Sequence, residues 1–101
     1  MKRDGRFVAF SDVEEALLKS AAVKAAVVFA DGTTPRGARL TAVCVAASAD
    51  ADERSIRDDS RRYLPPYAVP DRVALIDALP RLPSGKPDRA ALARYVAEHL
   101  G

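Results

Sequence analysis

A chain of 101 residues has room for one small domain with one modest core. Its composition, 49% apolar and 30% charged, is that of a globular chain and excludes a disordered one. Sixteen basic and fourteen acidic residues are interspersed and leave a net charge of +2, a balance that argues against nucleic acid or an anionic membrane surface as partner.

The elements follow in chain order. Phe7-Val8-Ala9 reads as a short strand. Ser11-Asp12-Val13-Glu14 is a capping-box pattern, in which Ser11 and Glu14 would satisfy each other's backbone N–H groups. Val13, Ala16, Leu17 and Ala21 then recur at helical spacing, which predicts a helix from Asp12 to Ser20, with Phe10 as a hydrophobic staple. Glu14 and Glu15 read as capping and surface groups. Val23 to Ala30 reads as a strand ending at the turn dipeptide Asp31-Gly32. Thr33 to Gly37 reads as loop and Arg39 to Ala47 as a second, more continuously apolar strand, so the pair predicts a hairpin. Phe29 and Tyr67 are assigned to the core.

Asp52 to Leu64 predicts a polar helix with a narrow buried stripe of Ile56, Ser60, Tyr63 and Leu64. Glu53–Arg57 and Asp58–Arg62 are spaced for i,i+4 ion pairs worth about 0.3–0.5 kcal/mol each. Arg54, Arg57, Arg61 and Arg62 form a basic run interleaved with acids and read as a solvated face. Pro65-Pro66 ends the helix. Arg72 to Asp77 reads as a third strand, and Asp88 as the N-cap of a last helix with Leu92, Tyr95, Val96 and Leu100 on one face. The order β-α-β-β-α-β-α predicts a small mixed α+β domain over residues 1–101. It would hold a short three-stranded sheet plus a minor N-terminal strand or hairpin, packed by about three helices.

Cys44, alone among apolar neighbours, reads as a small buried hydrophobe that cannot form an internal disulfide. One Cys and one His, His99, have no partners at metal-ligand spacing. His99 near a helix C-terminus suggests a macrodipole interaction. No apolar run approaches the roughly 18 residues of a membrane span. Met1-Lys2-Arg3-Asp4-Gly5 is not followed by a signal-peptide core, so a cytoplasmic location is expected.

The segment Pro80-Arg81-Leu82-Pro83-Ser84-Gly85-Lys86-Pro87-Asp88-Arg89 carries the chemistry. Prolines stiffen both sides of a Ser84-Gly85 turn, and the turn aims Lys86 outward. A pre-aimed ammonium suits developing negative charge on a phosphate or carboxylate. It is not a P-loop, because the spacing Gly-x4-Gly-Lys-Ser/Thr fails at Pro80 and Pro87.

The same segment resembles the last core motif of the adenylate-forming enzymes, which include acyl-CoA synthetases, nonribosomal peptide synthetase adenylation domains and luciferase relatives. The matching residues are Leu79-Pro80, Pro83-Ser84-Gly85-Lys86, Asp88-Arg89 and Leu92. The resemblance extends along the chain through Gly5 and Val8, Val13-Glu14-Glu15-Ala16-Leu17, the strand Val23 to Phe29, and Leu64-Pro65-Pro66-Tyr67-Ala68-Val69-Pro70. It implies the small C-terminal subdomain of such an enzyme.

In that family the lysine matching Lys86 contacts the carboxylate and the α-phosphate during acyl-adenylate formation, which implies that Ser84 and Gly85 form its nucleotide-side loop. The loop around Gly5 and Arg6 would serve the second half-reaction, in which a thiol attacks the adenylate after the subdomain rotates. The implied cofactors are ATP and Mg2+, bound mainly by a large N-terminal adenylating domain, with CoA or a carrier-protein phosphopantetheine as acyl acceptor. That domain and the family's hinge residue would lie before Met1, and this chain alone is expected to be inactive. Three positions depart from the family pattern. Pro87 stands where Val or Ile is usual, Leu82 where Thr is common, and Phe7 where many members have Arg, with Arg6 one residue early. An interaction module binding an adenylating domain or carrier protein in trans is the alternative, and a small nucleic-acid binder a remote third.

Overall fold

The computed structural model describes residues 1–100. In chain order these form β1 (Lys2–Arg3), β2 (Arg6–Phe7), α1 (Phe10–Leu18), β3 (Val23–Thr34), β4 (Gly37–Ala46), α2 (Glu53–Ser60), a 3-10 turn (Pro66–Ala68), β5 (Arg72–Ile76) and α3 (Arg89–His99). The predicted α+β class, with a sheet of three longer strands, a minor N-terminal hairpin and three helices, is what forms. All the strands join one mixed sheet. β3 and β4 pair antiparallel, β5 pairs parallel with β4, and β1 meets β4 only at Arg3–Gly37. A parallel neighbour needs a crossover, and α2 supplies it between β4 and β5.

The core follows from the two-residue period of β4. Leu40, Ala42 and Cys44 face one layer, where they meet Val13 and Leu17 of α1 and Ile56 of α2. Val43 faces the other, where it meets Val27, Ala74 and the α3 residues Leu92 and Val96. Because both faces are covered, every residue from Leu40 to Val45 is buried, which is why that stretch of β4 reads as apolar apart from Thr41. Burial pushes the Cys44 thiol up to about 12. Near pH 8 its thiolate fraction is then roughly one in ten thousand. Iodoacetamide at that pH is expected to label Cys44 only when urea unfolds the chain, as read by intact mass. Rapid labelling without urea would show that β4 is accessible.

Several boundaries move. The predicted capping box does not form: α1 begins at Phe10 with Ala9 as N-cap and no side-chain cap bond. Glu14 instead reaches sideways and accepts the Val28 N–H at 2.8 Å. Phe10 thus lies inside the helix, not before it as a staple. Asp31-Gly32 is not the hairpin turn either. β3 runs through it with a register shift between Ala30 and Thr33. Asp31 is held there by the Thr41 hydroxyl and by Arg72, and Arg39 Nε donates to its carbonyl at 3.0 Å. The turn comes at Pro35-Arg36, where the Thr34 hydroxyl accepts the Arg36 N–H at 3.1 Å.

The polar helix ends early, at Ser60, and Tyr63 leaves the buried stripe to lie under Lys19 at 4.8 Å. Its i,i+4 pairs are replaced by Asp58–Arg61 at 3.6 Å, while Arg57 Nε donates to the Pro70 carbonyl at 3.2 Å. Asp52 caps α2 and Asp88 caps α3, the latter as predicted, each accepting a backbone N–H three residues on. On α3, Leu92 and Val96 are buried, Tyr95 packs at the edge of their cluster and Leu100 is exposed. Phe29 and Tyr67 are only partly buried, each against a core cluster.

Candidate functional site

The lysine segment folds as a tight hairpin. The Leu82 carbonyl accepts the Gly85 N–H at 2.8 Å, and the Leu82 N–H donates to the Lys86 carbonyl at 2.8 Å. Ser84 keeps a negative φ while Gly85 takes φ +90°. That is a type I turn, with Pro83 at its second position, followed by a bulge residue in the left-handed region. Only glycine enters that region without strain, so Gly85 is fixed by geometry. Below the turn, Arg81 and Pro87 face each other, flanked by the bond from the Asp88 N–H to the Pro80 carbonyl at 2.8 Å. They form a non-hydrogen-bonded pair, whose amide would point out of the ribbon. Pro87 therefore costs the hairpin no hydrogen bond.

Arg81 Nη1 donates to the Gly85 carbonyl at 2.8 Å and braces the turn from outside. Ser84 Oγ lies 3.5 Å from the Lys86 amide, at the outer limit of a hydrogen bond. Lys86 is exposed, and its ammonium makes no ion pair among the described residues. The result is a free cation on a stiffened support.

Gly5 sits at the tip of the hairpin between β1 and β2. Asp4 and Gly5 both take positive φ, +52° and +74°, which makes a two-residue turn of type I′. Arg36 clips this tip to the turn between β3 and β4, with Nε 3.0 Å and Nη2 2.7 Å from Asp4 Oδ2. That pairing holds the Asp4 carboxyl below the usual carboxylate range. Arg6 lies over the Tyr67 ring at 5.4 Å, and Phe7 beside it is 70% exposed. Gly5 lies beyond the N-terminal end of β4, whereas the chain leaves β5 for the lysine hairpin at the C-terminal end. About 30 Å of strand separates these ends. The two predicted loops are not brought together.

The arginines of α2 part company. Arg57 and Arg61, the latter just past the end of α2, join Arg36 around an open cavity of about 390 Å3 that is also lined by Leu64, Pro66, Val69, Pro70 and Asp71. Arg62 lies beside Lys19, Asp59 and Tyr63 instead. His99 stacks on Tyr95 at 4.3 Å, with Nδ1 2.9 Å from the Tyr95 carbonyl. Among the described residues no cluster of His, Cys, Asp and Glu could hold a metal ion, and no helix is long and apolar enough to cross a membrane.

Two constellations escaped the sequence reading. Arg3 is fully buried. Its Nη2 pairs with Asp71 Oδ1 at 2.8 Å, and Nη1 donates to the Val69 carbonyl at 3.0 Å. The available signal was the two-residue spacing of Met1, just before β1, and Arg3 within it, which a charged terminus disguises. Arg89 spans 75 residues to meet Glu14 at 3.4 Å.

The comparisons with known proteins agree with this architecture. The family profile described as AMP-binding enzyme C-terminal domain matches residues 12–86. A linear gramicidin synthase of Brevibacillus parabrevis is 40% identical over 89 residues, covering 84% of this chain and 1% of that protein. An L-proline–[L-prolyl-carrier protein] ligase of Pseudomonas fluorescens is 40% identical over 99 residues, covering 95% of this chain and 19% of the ligase. Among solved structures, the amide bond synthetase McbA of Marinactinospora thermotolerans superposes with a TM-score of 0.85 at 29% identity, covering 94% of this chain and 19% of that one. The chain belongs to the AMP-binding enzyme C-terminal domain family, the C-terminal subdomain of the adenylate-forming superfamily. It spans only a small fraction of the length of these relatives.

Proposed function

We propose that this chain is the mobile subdomain of an ATP-dependent ligase that activates a carboxylate as its acyl-adenylate and passes the acyl group to a thiol. The observation that carries the reading is the Lys86 hairpin, an ammonium unpaired among the described residues on a turn whose backbone hydrogen bonds fix its support. In the first half-reaction a carboxylate oxygen attacks the α-phosphorus of ATP and pyrophosphate leaves. Lys86 would hold the carboxylate in line and meet the charge that builds on the α-phosphoryl oxygens. It would act by charge and hydrogen bonding. Ser84 and Gly85 shape the turn that presents it. In the second, the thiol of CoA or of a carrier-protein phosphopantetheine attacks the acyl carbonyl and AMP leaves. Gly5 and Arg6, on their clipped hairpin, would face the acceptor in that step.

The opposite placement of the two hairpins supports sequential use by rotation, since one orientation cannot present both to one centre. The cavity of Arg36, Arg57 and Arg61, three cations against the one carboxylate of Asp71, is a candidate contact for an anionic acceptor. ATP and its Mg2+ would be held mainly by an N-terminal adenylating domain, which this reading requires as partner. The chain alone would be inactive.

The test is complementation. The chain is supplied, free or fused, to an adenylating domain lacking its own C-terminal part, and carboxylate-dependent pyrophosphate release is followed. Release is expected. A fused pair that binds ATP and carboxylate yet releases no pyrophosphate would leave the chain as an interaction module.

A further inference from the structure

β3 is the outer strand of the sheet, so the outward N–H and C=O of Val28 have no strand to pair with. Both are taken by side chains from distant parts of the sequence. Glu14 Oε2 accepts the Val28 N–H at 2.8 Å, and Arg89 Nη1 donates to the Val28 carbonyl at 3.1 Å. Arg89 Nη2 closes the triangle onto Glu14 Oε2 at 3.4 Å. The carboxylate and the guanidinium together imitate a neighbouring strand at one residue and block that stretch of edge.

The position of Arg89 gives this contact a second consequence. It is the first residue of α3, three residues after Lys86, and directly follows the cap Asp88 whose N–H closes the base of the lysine hairpin. Residues 81–86 are all exposed, so the hairpin is held to the body only at its base. On one side Leu79 packs against the cluster of Val27 and Val43. On the other, the buried apolar anchors of α3, Leu92 and Val96, come one and two turns later. Arg89 ties the first turn of α3, capped by Asp88, to the sheet at Val28.

We infer that the Glu14–Arg89 clamp on Val28 is a positioning device that sets the direction of Lys86 relative to the sheet. This rests on the proposed role of Lys86 and extends it to two residues that do not reach the reacting atoms. The side chains are 19% and 54% exposed, so the clamp is an aiming contact more than a pillar of stability.

The test uses the complemented or fused ligase with Arg89→Ala, Glu14→Gln, the double variant, Arg89→Lys, and Lys86→Ala as reference. Arg89→Ala is expected to lower kcat for adenylation on the order of 10-fold, inside the loss that a misplacement of about 1 Å brings. The KM for the carboxylate and the rate of thiol transfer from supplied acyl-adenylate should stay within about twofold. Glu14→Gln should act in the same direction, the double variant should be no slower than the slower single one, and Arg89→Lys should recover part of the rate. If Lys86→Ala abolishes adenylation while Arg89→Ala leaves kcat within about twofold, the clamp does not position the lysine. Equal loss in both half-reactions would mark a merely structural role and overturn the inference. Adenylation unaffected by Lys86→Ala would remove the role of Lys86, and with it the reason for the clamp.

Discussion

Replacing Lys86 with alanine is expected to slow acyl-adenylate formation by on the order of 10²–10³-fold, the loss that follows removal of one preorganised donor to developing charge. The expectation is specific because the substitution removes little else. The hairpin's bonds at Leu82, Gly85 and Asp88 are made by backbone groups, and the lysine side chain is exposed and unpaired among the described residues. Its effect on stability should stay within about 0.5 kcal/mol. Transfer of the acyl group from supplied adenylate to the thiol should change far less, because the proposed reading gives that step to the Gly5 hairpin. Lys86→Arg should recover only part of the rate, since a broad planar guanidinium does not replace a compact ammonium. The measurement is pyrophosphate release beside single-turnover thiol transfer, with a urea melt of each variant. Equal loss in both half-reactions with unchanged stability would take Lys86 out of the adenylation step.

The turn that carries Lys86 was legible in the sequence because its geometry is local, though the pairing of Arg81 with Pro87 beneath it was not. Pro83, Ser84 and Gly85 each fix a backbone angle within a few residues, and the motif needs no distant partner. β4 was legible for a different reason: burial on both faces leaves it apolar from Leu40 to Ala46 apart from Thr41. The misreadings fall where a distant partner overrides a local signal. Asp31-Gly32 has turn chemistry, but Thr41 and Arg72 hold Asp31 inside the sheet. Ser11 and Glu14 have capping-box spacing, but the unpaired N–H of Val28 takes the Glu14 carboxylate. Tyr63 has helical spacing, but Arg61 already ends α2 and the ring turns to Lys19. Arg3 was invisible as a core residue because its carboxylate partner lies 68 residues away.

That partner carries the largest expected effect on stability. Asp71→Ala should destabilise the chain by about 3–5 kcal/mol, the cost of leaving a buried charge without its counterion. Arg3 is 0% exposed, its Nη2 has Asp71 as its acceptor, and its Nε already lacks a partner. The loss also strips the Leu40 N–H of the acceptor Asp71 Oδ2, at 2.8 Å. Against a typical total of about 5–15 kcal/mol, most of the stability would go. The reverse deletion is milder. Arg3→Met removes the buried charge and fills much of its volume, while Asp71 stays 21% exposed and still accepts the Leu40 N–H. The Arg3→Met/Asp71→Ala pair should therefore recover much of what Asp71→Ala loses, since apolar replacement of a buried pair is often near neutral. Urea unfolding of the four proteins at neutral pH reads this directly. If Arg3→Met costs as much as Asp71→Ala, the pair stabilises the fold outright and is not a buried charge awaiting its counterion. The asymmetry also bears on the other hairpin. Arg3 lies one residue before Asp4-Gly5, so the buried pair that secures β1 holds the Gly5 turn against β4.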